Sequence, residues 1–173
     1  MNHDAYDDAY VAEILNTVRT IAVVGASAND VRPSYFVTKY LIDKGYEVFP
    51  VNPGHAGREI LGRMTYASLA DIPVAIDMVD VFRAASAVPA IIDEVLNLDP
   101  LPKVVWMQLT VRNDEAAARA EAAGIKVVMN RCPKIEYARL AGEIGWTGVN
   151  SGVLSSKRPV MRQGFQSFGI RTK

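Results

Sequence analysis

The stretch Gly25-Ala26-Ser27-Ala28-Asn29-Asp30-Val31-Arg32-Pro33-Ser34-Tyr35 has the makings of an anion cradle. It joins an apolar, β-branched run to a segment that Pro33 opens as a helix, and the free N–H groups and positive dipole end of such a helix suit a phosphate or pyrophosphate. Gly25 permits close backbone approach, Ser27 and Ser34 can donate hydroxyl hydrogen bonds, and Arg32 adds a charge-assisted fork. Gly25 and Ser27 alone would be ordinary for any strand-to-helix turn; Arg32 beside them is what points to a phosphate. Three more groups stand where apolar runs end. Asn52 and Pro53 follow the second run, where Pro53 offers a flat wall to an adenine and Asn52 a polar edge, or the pair simply makes a turn. Phe82 and Arg83 follow the third, as a base-stacking ring and a second phosphate contact, or as a core Phe with a solvated Arg. Gln108 ends the fourth run with Leu109 beside it and Arg112 in the next loop; a Gln there needs a polar partner, which a ligand could supply.

Other chemistries fit less well. The dinucleotide fingerprint G-x-G-x-x-G is broken, since Ser27 and Asp30 replace its second and third glycines, and the second run ends Pro50-Val51-Asn52-Pro53 without a ribose-binding acid. No G-x-x-x-x-G-K-[ST] occurs, and two His with one Cys cannot furnish a Cys/His zinc site. Cys132, between Arg131 and Pro133 at a helix start, is expected to have its pKa lowered by the dipole and the cation, though no general base pairs with it and a small buried cap residue is the plainer reading. Asp77 and Asp80 are read as facing the same side of one strand, a possible catalytic pair, although strand carboxylates more often meet neighbouring backbone.

The elements that must position these residues follow from the hydrophobic pattern. An amphipathic helix is expected over residues 7 to 18, then strands at Thr20 to Gly25, Tyr46 to Val51, Ala75 to Val81, Lys103 to Leu109 and Ile125 to Met129. Helices are expected from Pro33 to Gly45, after a cap at Ser86, from the Asn113 cap to Gly124, and from Pro133. Residues 53 to 73 read as an irregular insertion with at most one short strand and one helical turn. Five short apolar strands alternating with helices imply an α/β fold, a Rossmann-like, doubly wound parallel sheet in three layers. With strands ordered 3-2-1-4-5, the switch point lies between strands one and four, and the loops after Val24, Val51, Val81 and Gln108 form the cleft.

The 173 residues, half of them hydrophobic and with a formal net charge of zero, suit one globular domain of residues 1–159 followed by a basic tail, 160–173. The balance argues against nucleic acid, and no apolar run approaches the roughly 20 residues needed to cross a bilayer. An acidic N-terminus without a secretory pattern and a single Cys point to the cytoplasm. Acids cluster in residues 1–13, and Lys157, Arg158, Arg162, Arg171 and Lys173 in residues 155–173.

Taken together, I-A-V-V-G-A-S (21–27), R-P-S-Y (32–35), P-V-N-P (50–53), S-L-A-D-I-P (68–73), V-D-V-F-R (79–83), V-V-W-M-Q-L (104–109) and V-V-M-N-R-C-P-K-I-E-Y (127–137) resemble the small bacterial CoA-binding proteins. These are stand-alone Rossmann-like domains related to the N-terminal domain of succinyl-CoA synthetase α-subunits. The resemblance spans residues 10 to 159 and implies coenzyme A, or an acyl-CoA, lying across the strand ends. It implies the pyrophosphate at Gly25, Ala26, Ser27, Arg32, Pro33 and Ser34, the adenosine part near Asn52, Pro53, Phe82 and Arg83, and the pantetheine arm near Gln108 and Leu109. It implies no assigned reaction, and Asn130 stands where many relatives are expected to have Asp. The leading expectation is a nucleotide-binding module without catalysis of its own: a carrier, sensor or regulator. The alternatives are a redox-responsive protein or enzyme using Cys132 with the CoA thiol, and an adenine-dinucleotide-sensing interaction module whose basic tail meets a partner.

Overall fold

A computed structural model describes residues 2–143. The basic stretch 155–173, the tail at 160–173 and the domain boundary at 159 lie outside the described residues. The elements run α1 (Asp8–Thr17), β1 (Thr20–Val24), α2 (Pro33–Asp43), β2 (Glu47–Val51), β3 (Glu59–Ile60), β4 (Arg63–Met64), β5 (Met78–Val81), α3 (Val88–Leu96), β6 (Val104–Met107), α4 (Asp114–Ala122), β7 (Lys126–Val128) and α5 (Pro133–Leu140). Five strands form one parallel sheet in the order β2-β1-β5-β6-β7, and β3 and β4 make a small antiparallel hairpin. The expected doubly wound α/β architecture is therefore present.

Local chemistry sets most boundaries. Pro33 and Pro133 occupy the first turns of α2 and α5, where a missing N–H costs nothing. Asn113 caps α4 by accepting the Ala116 N–H at 2.9 Å, and Asp7 caps α1 by accepting that of Ala9 at 2.8 Å. Ser86 does not cap α3. A 3₁₀ turn over Ala85–Ala87 leads straight into that helix, and Pro89 in its first turn replaces the need for a side-chain cap. The insertion is more ordered than expected, carrying the β3–β4 hairpin and 3₁₀ turns at Pro53–His55 and Leu69–Asp71.

The strand order 3-2-1-4-5 is overturned: in order of appearance along the sheet, the five strands stand 2-1-3-4-5. Strand β5 pairs with β1 through Ile21–Met78 to Val24–Val81, and β2 is left at the edge. Pro50 explains why β2 can stand only there. It has no N–H, and its carbonyl faces outward to accept the Tyr66 N–H of the hairpin connection at 2.9 Å. The switch point consequently falls between β1 and β5.

Each face of the sheet has its own core. One holds Ala22, Val79, Val105 and Val127 under α3 and α4, the other Ile21, Val23, Met78 and Trp106 under α1, α2 and α5. The N-terminal segment covers the β7 edge, where the Tyr6 hydroxyl accepts the Met129 N–H at 2.7 Å and the Tyr10 hydroxyl donates to the Val127 carbonyl at 3.3 Å.

At the switch point the β1 and β5 turns are packed against each other. Gly25 has φ +88°, and a Cβ there would lie 2.6 Å from the Phe82 carbonyl oxygen and 3.0 Å from Arg83 Cδ. Gly25→Ala combines left-handed strain with overlap against backbone, and is expected to cost roughly 2–4 kcal/mol in urea unfolding; an unchanged midpoint would mean that the turns can separate.

Asp80 lies wholly buried near the end of β5, and burial pushes its carboxyl up to about 8 despite the opposing hydrogen bond from Gln108. The native chain thus keeps a proton that the unfolded chain releases near the ordinary value of 3.8, so stability falls as pH rises from there through about 8. Between about pH 5 and about pH 8.5 the unaltered protein is expected to lose a few kcal/mol relative to Asp80→Asn, measured by denaturant unfolding. Parallel pH profiles would show that the carboxyl is not desolvated.

Candidate functional site

The site lies at the carboxyl ends of β1 and β5. Val24 O accepts the Phe82 N–H at 2.8 Å, and Val51 O accepts the N–H groups of both Gly25 and Ala26 at 2.9 and 3.3 Å. Gly25 and Ala26 therefore serve the cradle as shape and not as donors. Ser27 Oγ accepts the Asn29 N–H at 3.1 Å and Asn29 Oδ1 that of Val31 at 3.0 Å, which folds the loop into two tight turns. The N–H groups of Ser27, Ala28 and Ser34 are left without an acceptor among the described residues. Ser34, in the first turn of α2, is buried, and its hydroxyl likewise has no partner there. Of these groups, Ser34 belongs to the first turn of α2, where the helix dipole is positive.

Arg32 is the N-cap residue of α2, preceding Pro33, and Arg83 lies over Gly25 with its Cδ at the position given above. Both are exposed, and neither forms an ion pair among the described residues. Most other cations in the described residues are spent: Lys44 on Glu143, Lys103 on Asp77, Arg119 on Asp93, Lys126 on Glu13 and Arg139 on Asp8 and Glu136. Arg112, in the loop beside the site, is held by Asp4 at 2.6 Å and Asp114 at 2.8 Å. Arg83 thus lies against the glycine turn, and Arg32 heads α2 at the end of the same loop, with neither guanidinium in an ion pair among the described residues.

The remaining expected residues divide. Asn52 is not a free edge reader. Its Nδ2 donates to the Ala26 carbonyl at 2.7 Å and its Oδ1 accepts the Gly54 N–H at 2.9 Å, so the side chain ties the β2 turn to the cradle. Pro53 is exposed at the start of a 3₁₀ turn. Phe82 is half-buried with its ring against the core under α2, as a core Phe would be. Gln108 finds its partner within the protein: Nε2 lies 2.8 and 3.1 Å from the two Asp80 carboxyl oxygens. Leu109 stands half exposed at the mouth.

Two expectations fail on physical grounds. Cys132 caps the start of α5, but burial pushes its thiol up to about 11, with the Asp80 carboxyl adding to the rise and the nearby N–H groups of Ile135 and Lys134 unable to offset it. Asp77 and Asp80 do not form a pair. Three positions apart, they point to opposite faces, and Asp77 lies just before β5, at the far end of the sheet. There it accepts the N–H groups of Arg19 and Thr20 at 2.7 and 3.3 Å and meets Lys103 at 2.7 Å; burial raises its pKa, but these contacts outweigh it and hold the carboxyl below its usual range.

A clamp missing from the sequence reading joins the β6–α4 and β7–α5 loops. Thr110 and Asn130 both adopt left-handed backbone, φ 69° and 52°, and Asn130 Oδ1 accepts the Thr110 N–H at 2.8 Å. Asn tolerates this conformation better than other side chains, and its local hydrogen bonding was the available signal.

The chain is similar to an uncharacterized Bacillus subtilis protein, YneT, at 38% identity over 75% of this chain and 93% of that one. A hypothetical protein from Pyrococcus horikoshii superposes with a TM-score of 0.75 at 39% identity, covering 82% of this chain and 97% of that one. The α subunit of an ADP-forming acetate–CoA ligase from Pyrococcus furiosus is 37% identical over 86 residues, 47% of this chain and 19% of that subunit. The CoA binding domain family matches residues 19–138, which contain every element from β1 to the start of α5 together with the cradle, the two arginines and Gln108, and the chain belongs to that family.

Proposed function

We propose that this chain binds coenzyme A or a CoA derivative across the carboxyl ends of β1, β5 and β6, and acts as a carrier, sensor or regulator without chemistry of its own. The observation that supports the reading is Arg83, unpaired among the described residues, packed against the Gly25 turn of a loop that leads through unpaired Arg32 into the N-terminus of α2. A pyrophosphate there would meet the helix dipole, the hydroxyls of Ser27 and Ser34 and both guanidinium groups. Gly25, Ala26 and Pro33 shape the cradle, and Asn52 holds it against β2. Pro53, Phe82 and Arg83 border the adenosine end, while Gln108 and Leu109 border the arm.

The non-catalytic reading is supported by the state of the reactive groups near the cleft. The Cys132 thiol is buried and protonated, and the Asp80 carboxyl is buried on Gln108. His3 is engaged elsewhere, with Tyr6 and Glu121.

Isothermal titration with CoA, 3′-dephospho-CoA and NAD tests the reading. Heat with the CoA compounds and little with NAD is expected; no heat with either CoA compound would sink it. Arg32→Ala and Arg83→Ala are each expected to weaken CoA by roughly 1.5–3 kcal/mol, with the difference shrinking as salt is raised. An unchanged affinity removes that arginine from the site.

A further inference from the structure

The cleft differs in character from one side to the other. Among the described residues seven large apolar side chains are exposed, and four of them, Val31, Phe36, Leu109 and Ile135, lie in loops or first helical turns at the carboxyl end of the sheet. Isolated apolar side chains on a surface mean little, but two of these share the β6–β7 side of the cleft. Leu109 stands just past β6, 49% exposed, and Ile135 in the first turn of α5, 38% exposed. The loops after β6 and β7 are fastened together by the Asn130 clamp, by the Asn130 N–H on the Val111 carbonyl at 3.1 Å and by the Arg131 N–H on the Met107 carbonyl at 3.3 Å. Both side chains therefore stand on fixed backbone.

The charges on that side are already engaged. Arg112 ends on Asp4 and Asp114. Arg131 donates to the Asn130 carbonyl at 2.9 Å and to the Asp4 carbonyl at 3.4 Å, with its guanidinium 5.5 Å from the centre of the Tyr6 ring. Lys134 is turned onto α2, where its ammonium lies 5.5 Å from the centre of the Tyr40 ring. The carboxylates of Asp4 and Asp114, by contrast, stay largely exposed. Unpaired Arg32 and Arg83 suit phosphates near β1 and β5, whereas a carboxylate brought to the β6–β7 side would lose water, find its cations occupied and meet two like charges.

We infer that the rim formed by Leu109 and Ile135 takes an uncharged, apolar acyl group carried on the sulfur of the ligand. Such an acyl-CoA is preferred to free CoA, and an acyl group ending in a carboxylate gains nothing. This rests on the CoA reading above and deepens it: with the pyrophosphate at the Gly25 turn and the arm passing Gln108, the sulfur comes to the β6–β7 side of the cleft. The free energy comes from covering apolar surface that the protein otherwise leaves in water.

Titration calorimetry on the full chain near neutral pH compares CoA, butyryl-CoA and succinyl-CoA, which share the nucleotide and the arm and differ only at the sulfur. Butyryl-CoA is expected to bind roughly threefold to tenfold more tightly than CoA, and succinyl-CoA no more tightly than CoA. Ile135→Ser, a change at an exposed position, is expected to shrink the butyryl advantage to within about twofold. Equal binding of CoA and butyryl-CoA, tightest binding of succinyl-CoA, or a butyryl advantage that survives Ile135→Ser overturns the acyl assignment while the CoA reading stands. Binding of none of the three by the unaltered chain overturns the CoA reading and this inference with it.

Discussion

The contact on which this domain turns is the one between the β1 turn at Gly25 and the carbonyl of Phe82. Two parallel strands leave the sheet side by side there, and the chains following them go to opposite faces, one through α2 and the other toward α3. Because Gly25 has no Cβ, the two turns can close to a distance that excludes any side chain, which brings Arg83 over the glycine. The cradle is a product of this packing. Its donors are what remain after Val51 has taken the N–H groups of Gly25 and Ala26 to complete the sheet.

The same economy governs the polar groups inside. Several polar side chains around the cleft find partners in ways that fix loops in place. Asn52 holds the β2 turn to Ala26, Trp106 donates its indole N–H to the Arg131 carbonyl at 2.9 Å, and Asn130 restrains Thr110. The loops around the cleft are thus tied through side chains to neighbouring turns as well as to their own strands. A rigid rim of this kind suits a ligand held by many modest contacts, since little ordering remains to be done when it binds.

Much of this was legible in the residues. Alternating apolar runs and proline-headed helices predict the parallel architecture, with most element boundaries close to those observed, because Pro33, Asn113 and Pro133 act through local backbone chemistry. The four loop groups assigned to the cleft do lie at the carboxyl ends of their strands. The strand order was also written in the sequence, in Pro50, whose missing N–H marks an edge, but the apolar character of the run obscured it. What could not be read was decided by burial and competition between partners. Cys132 has the helix start and the adjacent cation that lower a thiol's pKa, and only the depth of the core reverses the sign. Asn52 looks like a free polar tip until the Ala26 carbonyl is brought beside it from another loop. Asp80 and Gln108 lie 28 positions apart, and only the sheet register makes them a pair.

The tyrosines at the N-terminus bear on how copies of this domain can meet. A parallel sheet ending in an uncovered strand is an invitation to another chain, because its outward backbone groups seek partners. On β7 the Val127 carbonyl is occupied by the Tyr10 hydroxyl, and just past the strand the Met129 N–H is occupied by that of Tyr6; the two rings stack with centroids 6.0 Å apart. On β2, Pro50 and the hairpin connection occupy the other margin. Both margins thus resist the recruitment of a sixth strand, so copies associating in solution would meet most readily through their helical faces or loops, which keeps the five-stranded platform under the cleft the same whatever the number of copies.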